Sequence, residues 1–146
     1  MNTNDEPLVV GQDFAAPTEV VWQAITEAEK MRQWFFGQIV EFKPELGFET
    51  QFDVEAEGRV FPHQWKVTEV EAGKKISYQC RYGGIVGNSM VTWELSELPE
   101  GTQLVFTHRV LEDFPQDDPM FNRESCEGGW DYFIRQNLTK FLGGVE

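Results

Sequence analysis

The sequence predicts an α+β fold: a curved antiparallel β-sheet of about six to seven strands wrapped around a long C-terminal α-helix, with two short helices after the first strand. Three observations carry this. Most of the middle of the chain reads as short strands separated by turn residues. The last stretch, from about Met120 to Leu142, changes to a helical period. The sheet's inner face needs a cover, and that helix is the one remaining element long enough to supply it.

Each element follows from its own residues. Leu8 to Phe14 reads as a strand, broken by Ala15-Ala16-Pro17-Thr18. Pro17 suits a helix start, and Glu19 puts an acid in the first turn. Val20, Val21, Ala24 and Ile25 then recur at helical spacing, and a second short helix runs from about Ala28 to Trp34. Ile39 to Phe42 is a short strand by pattern. Phe48, Phe52 and Val54 share one face of the next strand. Val60 to Val70 is strand-like with a shift before Val70, and Pro62 within it points to an edge strand or a bulge.

The clearest alternation is Ile76, Tyr78, Cys80 and Tyr82, with polar residues between them. After the Gly83–Asn88 loop, Val91, Trp93 and Leu95 alternate with Thr92 and Glu94. Beyond the Pro99-Glu100-Gly101 turn, Leu104, Phe106, His108 and Val110 share a face. Glu112 to Pro119 is an acidic loop with two prolines. Trp130, Phe133, Ile134, Asn137, Leu138, Phe141 and Leu142 form a broad apolar stripe, and Gly143-Gly144 ends the helix.

Length and composition bound the function classes. The 146 residues suit one domain, taken as 1–146. Aromatic content of 14% argues for a packed core despite a net charge of -13. That charge repels phosphate backbones and anionic lipid, so neither nucleic acid nor membrane is an expected partner. The start MNTNDEPLVV lacks the basic and apolar regions of a signal peptide. The two cysteines, Cys80 and Cys126, make no disulfide framework and lack metal spacing; reduced thiols in a cytoplasmic protein are expected.

The Ala15-Ala16-Pro17 start, the Val20-Val21-Trp22-Ala24-Ile25 run, Trp34-Phe35, and Gly129-Trp130 opening the last helix together resemble the SRPBCC, or START-like helix-grip, superfamily. More narrowly they are similar to its AHSA-type branch, homologues of the activator of the heat-shock-protein ATPase. The resemblance covers nearly the whole chain. It implies a cavity between sheet and helix that takes hydrophobic molecules, with the Gly83–Asn88 loop near its mouth. It also implies a chaperone as a candidate protein partner. Relatives that stimulate a chaperone carry an additional N-terminal domain, which is not expected here.

The cavity candidates are Phe48, Phe52, Trp65, Tyr78, Tyr82, Trp93, Phe106, His108, Phe133 and Asn137, with Cys80 on the same strand face as the tyrosines. Two arrangements fit them: a ligand-sized space, or a core that the aromatics fill. His108 reads first as a core histidine and otherwise as a ligand anchor or a general base, His63 is assigned no role, and Cys126 at the helix start reads as structural. Glu112, Asp113, Asp117 and Asp118 do not match a calcium loop, and no cofactor motif is present. Binding of a hydrophobic or aromatic small molecule ranks first, a protein-interaction module second, and a cavity-based cyclase or hydrolase third. No catalytic residue is assigned.

Overall fold

The structure is a computed structural model that describes residues 1–143. Its order is β1 (Leu8–Phe14), α1 (Thr18–Thr26), α2 (Ala28–Trp34), β2 (Glu49–Ala56), β3 (Arg59–Glu71), β4 (Lys75–Tyr82), β5 (Asn88–Leu98) and β6 (Gly101–Glu112), then a C-terminal helical run. The six strands form one antiparallel sheet in the order β1-β6-β5-β4-β3-β2. Strands β2 to β6 are a meander, because each connection is a short turn and adjacent strands in sequence pair most readily. β1 joins the far side of β6, with Val10 opposite Phe106.

One face of this sheet is apolar, as the alternation requires. Phe61, Trp65, Val67, Ile76, Tyr78, Cys80, Val91, Trp93, Leu95, Leu104 and Phe106 are all buried. The other ends of the core come from α1 and α2. Val21, Ala24 and Ile25 are fully or almost fully buried, as are Met31 and Trp34. Trp34 Nε1 donates to the Ala24 carbonyl at 2.8 Å, which satisfies its polar edge inside the core.

Three expectations change. Ile39 to Phe42 is not a strand. Arg32 Nη1 donates to the Ile39 and Val40 carbonyls at 3.0 and 3.3 Å, so a guanidinium takes acceptors that a neighbouring strand would need. The alternation survives without a ladder: Ile39 and Phe42 are buried while Val40 is exposed. Pro62 does not mark an edge, since β3 lies inside the sheet and the edges are β1 and β2. Pro62 stands one position beyond the last β3–β4 pair, His63 with Tyr82, where its carbonyl accepts from Gly83 N at 2.9 Å. The bulge in β3 falls instead between Val67 and Glu69, which explains the shift before Val70.

The C-terminal helix begins three residues later than its pattern. Pro119–Phe121 is a 3-10 turn, and α3 (Arg123–Asp131) starts after Asn122. The Asn122 side chain accepts from Ser125 N at 2.8 Å, a helix cap that sets this start. From there the helix runs on through a π-helical stretch (Tyr132–Leu138) into α4 (Thr139–Phe141). Its stripe is seated on the sheet: Ile134 and Leu138 are fully buried, and the Trp130 ring lies 4.3 Å from that of Phe106. Gly143, at φ 116°, ends the helix in a conformation that favours glycine, and Gly144 lies outside the described residues.

Candidate functional site

The cavity lies at one end of the space between sheet and helix, where β3, β4 and β6 approach the start of α3. Alternation aims His63 and Trp65 of β3, Cys80 and Tyr82 of β4, and His108 of β6 into it. Cross-strand pairing brings them together. His63 is opposite Tyr82, Trp65 opposite Cys80, and Cys80 opposite Ser89 of β5. The helix contributes Ser125, Cys126, Gly129, Trp130 and Phe133, and Phe36 reaches in from beyond α2. The mouth is lined by Met1, Phe114, Met120 and Phe121.

The cavity is partly open, with a volume of about 170 Å³. Drug-sized ligands occupy pockets of about 300–1,000 Å³, whereas an apolar cavity of about 150 Å³ takes one benzene. The space therefore suits one aromatic ring. A larger depression, about 570 Å³, lies open on the solvent face of β2, β3 and β4 among Gln51, Gln64, Lys66, Gln79 and Arg81. Its lining is made mainly of charged and amide side chains.

The mouth is held by polar ties around aromatic contacts. Phe61, Phe114 and Phe121 form a small second core, with the Phe114 and Phe121 rings stacked at 5.7 Å. Asp118 accepts from Met120 N at 3.0 Å and pairs with Arg59 at 3.0 Å, and this guanidinium holds its carboxyl below the usual range. The Gly83–Asn88 loop touches the mouth at Gly87. A Cβ there would stand 2.4 Å from Phe114 Cδ1, so the ring can lie against this strand end because residue 87 is glycine.

The polar groups inside are neutral. Burial, partly offset by a backbone hydrogen bond, lowers the His108 pKa to about 4. Burial also lowers that of His63. Burial raises the Cys126 thiol to about 11, against the opposing pull of a hydrogen bond from Trp130 and the Arg123 charge. Cys126 Sγ lies 3.9 Å from both ring nitrogens of His108. At neutral pH this is a thiol beside an uncharged imidazole and not a thiolate–imidazolium pair. The Tyr82 hydroxyl and the Cys80 thiol are pushed upward by burial as well. Among the described residues no group of three His, Cys, Asp or Glu side chains is placed to hold a metal ion.

The structure divides the sequence candidates. Trp65, Tyr82, His108 and Phe133 line the cavity. Tyr78, Trp93 and Phe106 do not; they are fully buried in the filled part of the core, where Trp93 Nε1 donates to the Tyr78 hydroxyl at 3.1 Å. Phe52 stands behind His63, its ring stacked at 5.2 Å. Phe48 is half-buried against Phe42 near the sheet edge. Asn137 ties helix to helix, its Nδ2 donating to the Trp34 carbonyl at 3.1 Å.

Sequence reasoning passed over His63, Cys126, Trp130 and Phe36 as lining residues. Two signals could have found three of them. His63 has the parity of Trp65, so both face inward, and Cys126 precedes Trp130 by four residues on one helix face. Nothing local marks Phe36, which arrives through the packing of α2.

A six-stranded antiparallel sheet gripping a C-terminal helix, with a small cavity between them, defines a helix-grip protein. Comparison with known proteins gives the family. The model for "Activator of Hsp90 ATPase homolog 1-like protein" matches residues 15–143, and the chain belongs to that family. No curated protein is significantly similar to it. Solved structures share the fold at low identity. Protein CV1439 from Chromobacterium violaceum superposes with a TM-score of 0.77 at 21% identity, over 93% of this chain and 96% of that one. Protein MLL2253 from Mesorhizobium loti gives 0.72 at 24%, over 97% and 99%. DynU16, a protein of the dynemicin biosynthetic locus, gives 0.76 at 21%, over 96% of this chain and 48% of that one. Among the described residues no helix is long and apolar enough to cross a membrane.

Proposed function

We propose that residues 1–146 act as one binding domain, which takes an apolar molecule the size of a single aromatic ring into the cavity between the sheet and the C-terminal helix. The observation that carries this is a partly open cavity of about 170 Å³ walled by Phe36, Trp65, Trp130 and Phe133, beside a part of the core where Tyr78, Trp93 and Phe106 are fully buried. Well-packed interiors leave few voids larger than a water molecule, so a cavity of this size lined by rings is a site for a guest. The neutral histidine and thiol at its polar end orient a guest without attacking it. Cavity-based catalysis by these groups therefore ranks below binding.

Gly129 supplies the test. It lines the cavity on the helix side, and a Cβ built there meets nothing within 4 Å. Gly129 is exposed, so Gly129→Leu sets a side chain at the open side of the cavity, across the guest's access, and exchanging a helical glycine stabilises the helix by about 1 kcal/mol. Calorimetric titration with toluene is expected to show binding to the parent chain, binding at least tenfold weaker for naphthalene, and no binding of toluene to Gly129→Leu. Equal toluene binding by both chains would overturn the assignment.

A second reading, a module that docks on a basic protein, is favoured by the net charge of -13 and by the family's description as an ATPase activator homologue. Association with such a partner is expected to weaken steeply between low and physiological salt. Salt-independent association would contradict it.

A further inference from the structure

The polar end of the cavity has an order of donors and acceptors that selects a guest. His63 is buried, and its Nδ1 lies 2.9 Å from the Phe61 carbonyl. A carbonyl can only accept, so Nδ1 carries the proton and Nε2 of the neutral ring is a bare acceptor. Nε2 has no hydrogen-bond partner among the described residues. Across the strand pair stands Tyr82, its ring centroid 4.8 Å from that of His63 and perpendicular to it. The Tyr82 hydroxyl is likewise unpartnered among the described residues. Two polar groups without a protein partner, one an acceptor and one able to donate, thus belong to side chains that line one ring-sized space; neither is sealed from water, since the buried side-chain polar atom left unpaired among the described residues is Asn88 Oδ1.

The other polar atoms point the same way. Ser89 Oγ donates to the Cys80 carbonyl at 3.1 Å, and Ser125 Oγ donates to the Pro119 carbonyl at 2.8 Å. Their protons are spent, so toward the cavity both hydroxyls present lone pairs. The Cys126 thiol, 3.9 Å from both ring nitrogens of His108, can pair with one of them. No cationic side chain lines the cavity. A carboxylate would meet lone pairs at this end, and the one ammonium at the mouth, that of Met1, already donates to the Phe121 carbonyl at 2.9 Å. A purely apolar ring would leave Nε2 and the tyrosine hydroxyl unsatisfied when it expelled water, which is costly for buried polar groups.

We infer that the guest is an uncharged single-ring phenol, whose hydroxyl donates to His63 Nε2 and accepts from the Tyr82 hydroxyl while its ring lies among Trp65, Trp130 and Phe133. This rests on the cavity-binding reading and adds the chemical class. Burial of both histidines supports it, because each favours the neutral ring that leaves an acceptor free.

Calorimetric titration at pH 7.5 with phenol, toluene and benzoate tests the inference. Phenol is expected to bind about 3–10-fold more tightly than toluene, the increment of one satisfied neutral hydrogen bond, and benzoate at least tenfold more weakly than phenol. His63→Phe keeps an aromatic ring but removes the acceptor. In it toluene is expected to bind more tightly than phenol, and retained toluene binding shows that the variant is folded. Toluene binding more tightly than phenol in the parent chain, or benzoate more tightly than either, would overturn the phenol assignment and leave the cavity reading intact. Failure of both toluene and phenol to bind the parent chain would overturn the cavity reading and the inference with it. The parent-chain series decides the matter even where His63→Phe fails to fold.

Discussion

The same strands build a filled end and an open end of one core, and the two differ in residue type more than in backbone. At the filled end, near α1 and α2, Trp34, Tyr78, Trp93, Phe106, Leu104 and Ile134 are at most 2% exposed. Their rings interlock, with Trp93 4.6 Å from Phe106 and 5.9 Å from Trp34, and the one polar pair among the large rings closes on itself. At the open end, the inward positions of the same sheet carry His63, Cys80, Ser89 and His108, and a helix turn contributes Cys126 and Gly129. Smaller and more polar side chains at the ends of strands that are otherwise aromatic leave space where the packing would have closed. Cavities in such a fold are written as a change of side-chain size along a strand, not as a change of architecture.

That contrast can be broken at either end. The largest effect is expected at the filled end. Trp93→Ala removes a ring that touches four others and orphans the Tyr78 hydroxyl, and it is expected to lower stability by about 3–5 kcal/mol in urea unfolding. A loss under 1 kcal/mol would mean this end is not tightly packed. Next comes the mouth. Gly87→Ala adds a Cβ that collides with Phe114 at a φ of 117°, and a cost of roughly 2–4 kcal/mol is expected, with faster release of any guest. Unchanged stability and release rate would show that the ring does not need residue 87 to be glycine.

The smallest effect concerns the open end and pH. His108 has a folded pKa of about 4 against an unfolded value of 6.5. Below 6.5 the unfolded chain binds a proton that the folded chain refuses, so stability is complete above 6.5 and falls as pH drops toward 4. About 2 kcal/mol is expected to be lost from this group by pH 5, and His63 acts in the same direction. Acidification also relieves repulsion in a chain of charge -13, so the parent is compared with His108→Phe. The variant is expected to show a shallower fall in urea midpoint between pH 7.5 and 5. Parallel pH curves would remove His108 from the buried, neutral end.

The strands were legible where alternation was strong. Ile76 to Tyr82 and Leu104 to Val110 read correctly because one buried face imposes a period of two. The helix was legible as a stripe, but its cap was not, since the Asn122 contact with Ser125 is a local geometry that an apolar period does not register. Ile39 to Phe42 misled because burial alternates there while Arg32 takes the carbonyls, and hydrophobic patterning reports burial and not ladder bonds. The site was half legible for a related reason. Parity places Trp65, Tyr82 and His108 on the inner face, but it does not say how far along the sheet the packing stops. Trp93 and Phe106 share that face and lie in the filled part. The meeting of His108 with Cys126 depends on where a helix docks across 18 residues of separation, which no local spacing encodes.

The most direct measurement is of location. Titration of the protein with methyl-labelled toluene, followed by nuclear Overhauser contacts from the methyl and ring protons, reads which end of the core takes a guest. Contacts to Trp65, Tyr82, Trp130 and Phe133, with none to Trp93 or to Gln51 and Gln79 on the outer face, are the predicted result. Contacts centred on Trp93 and Phe106, or on the outer face of β2 to β4, would contradict the account.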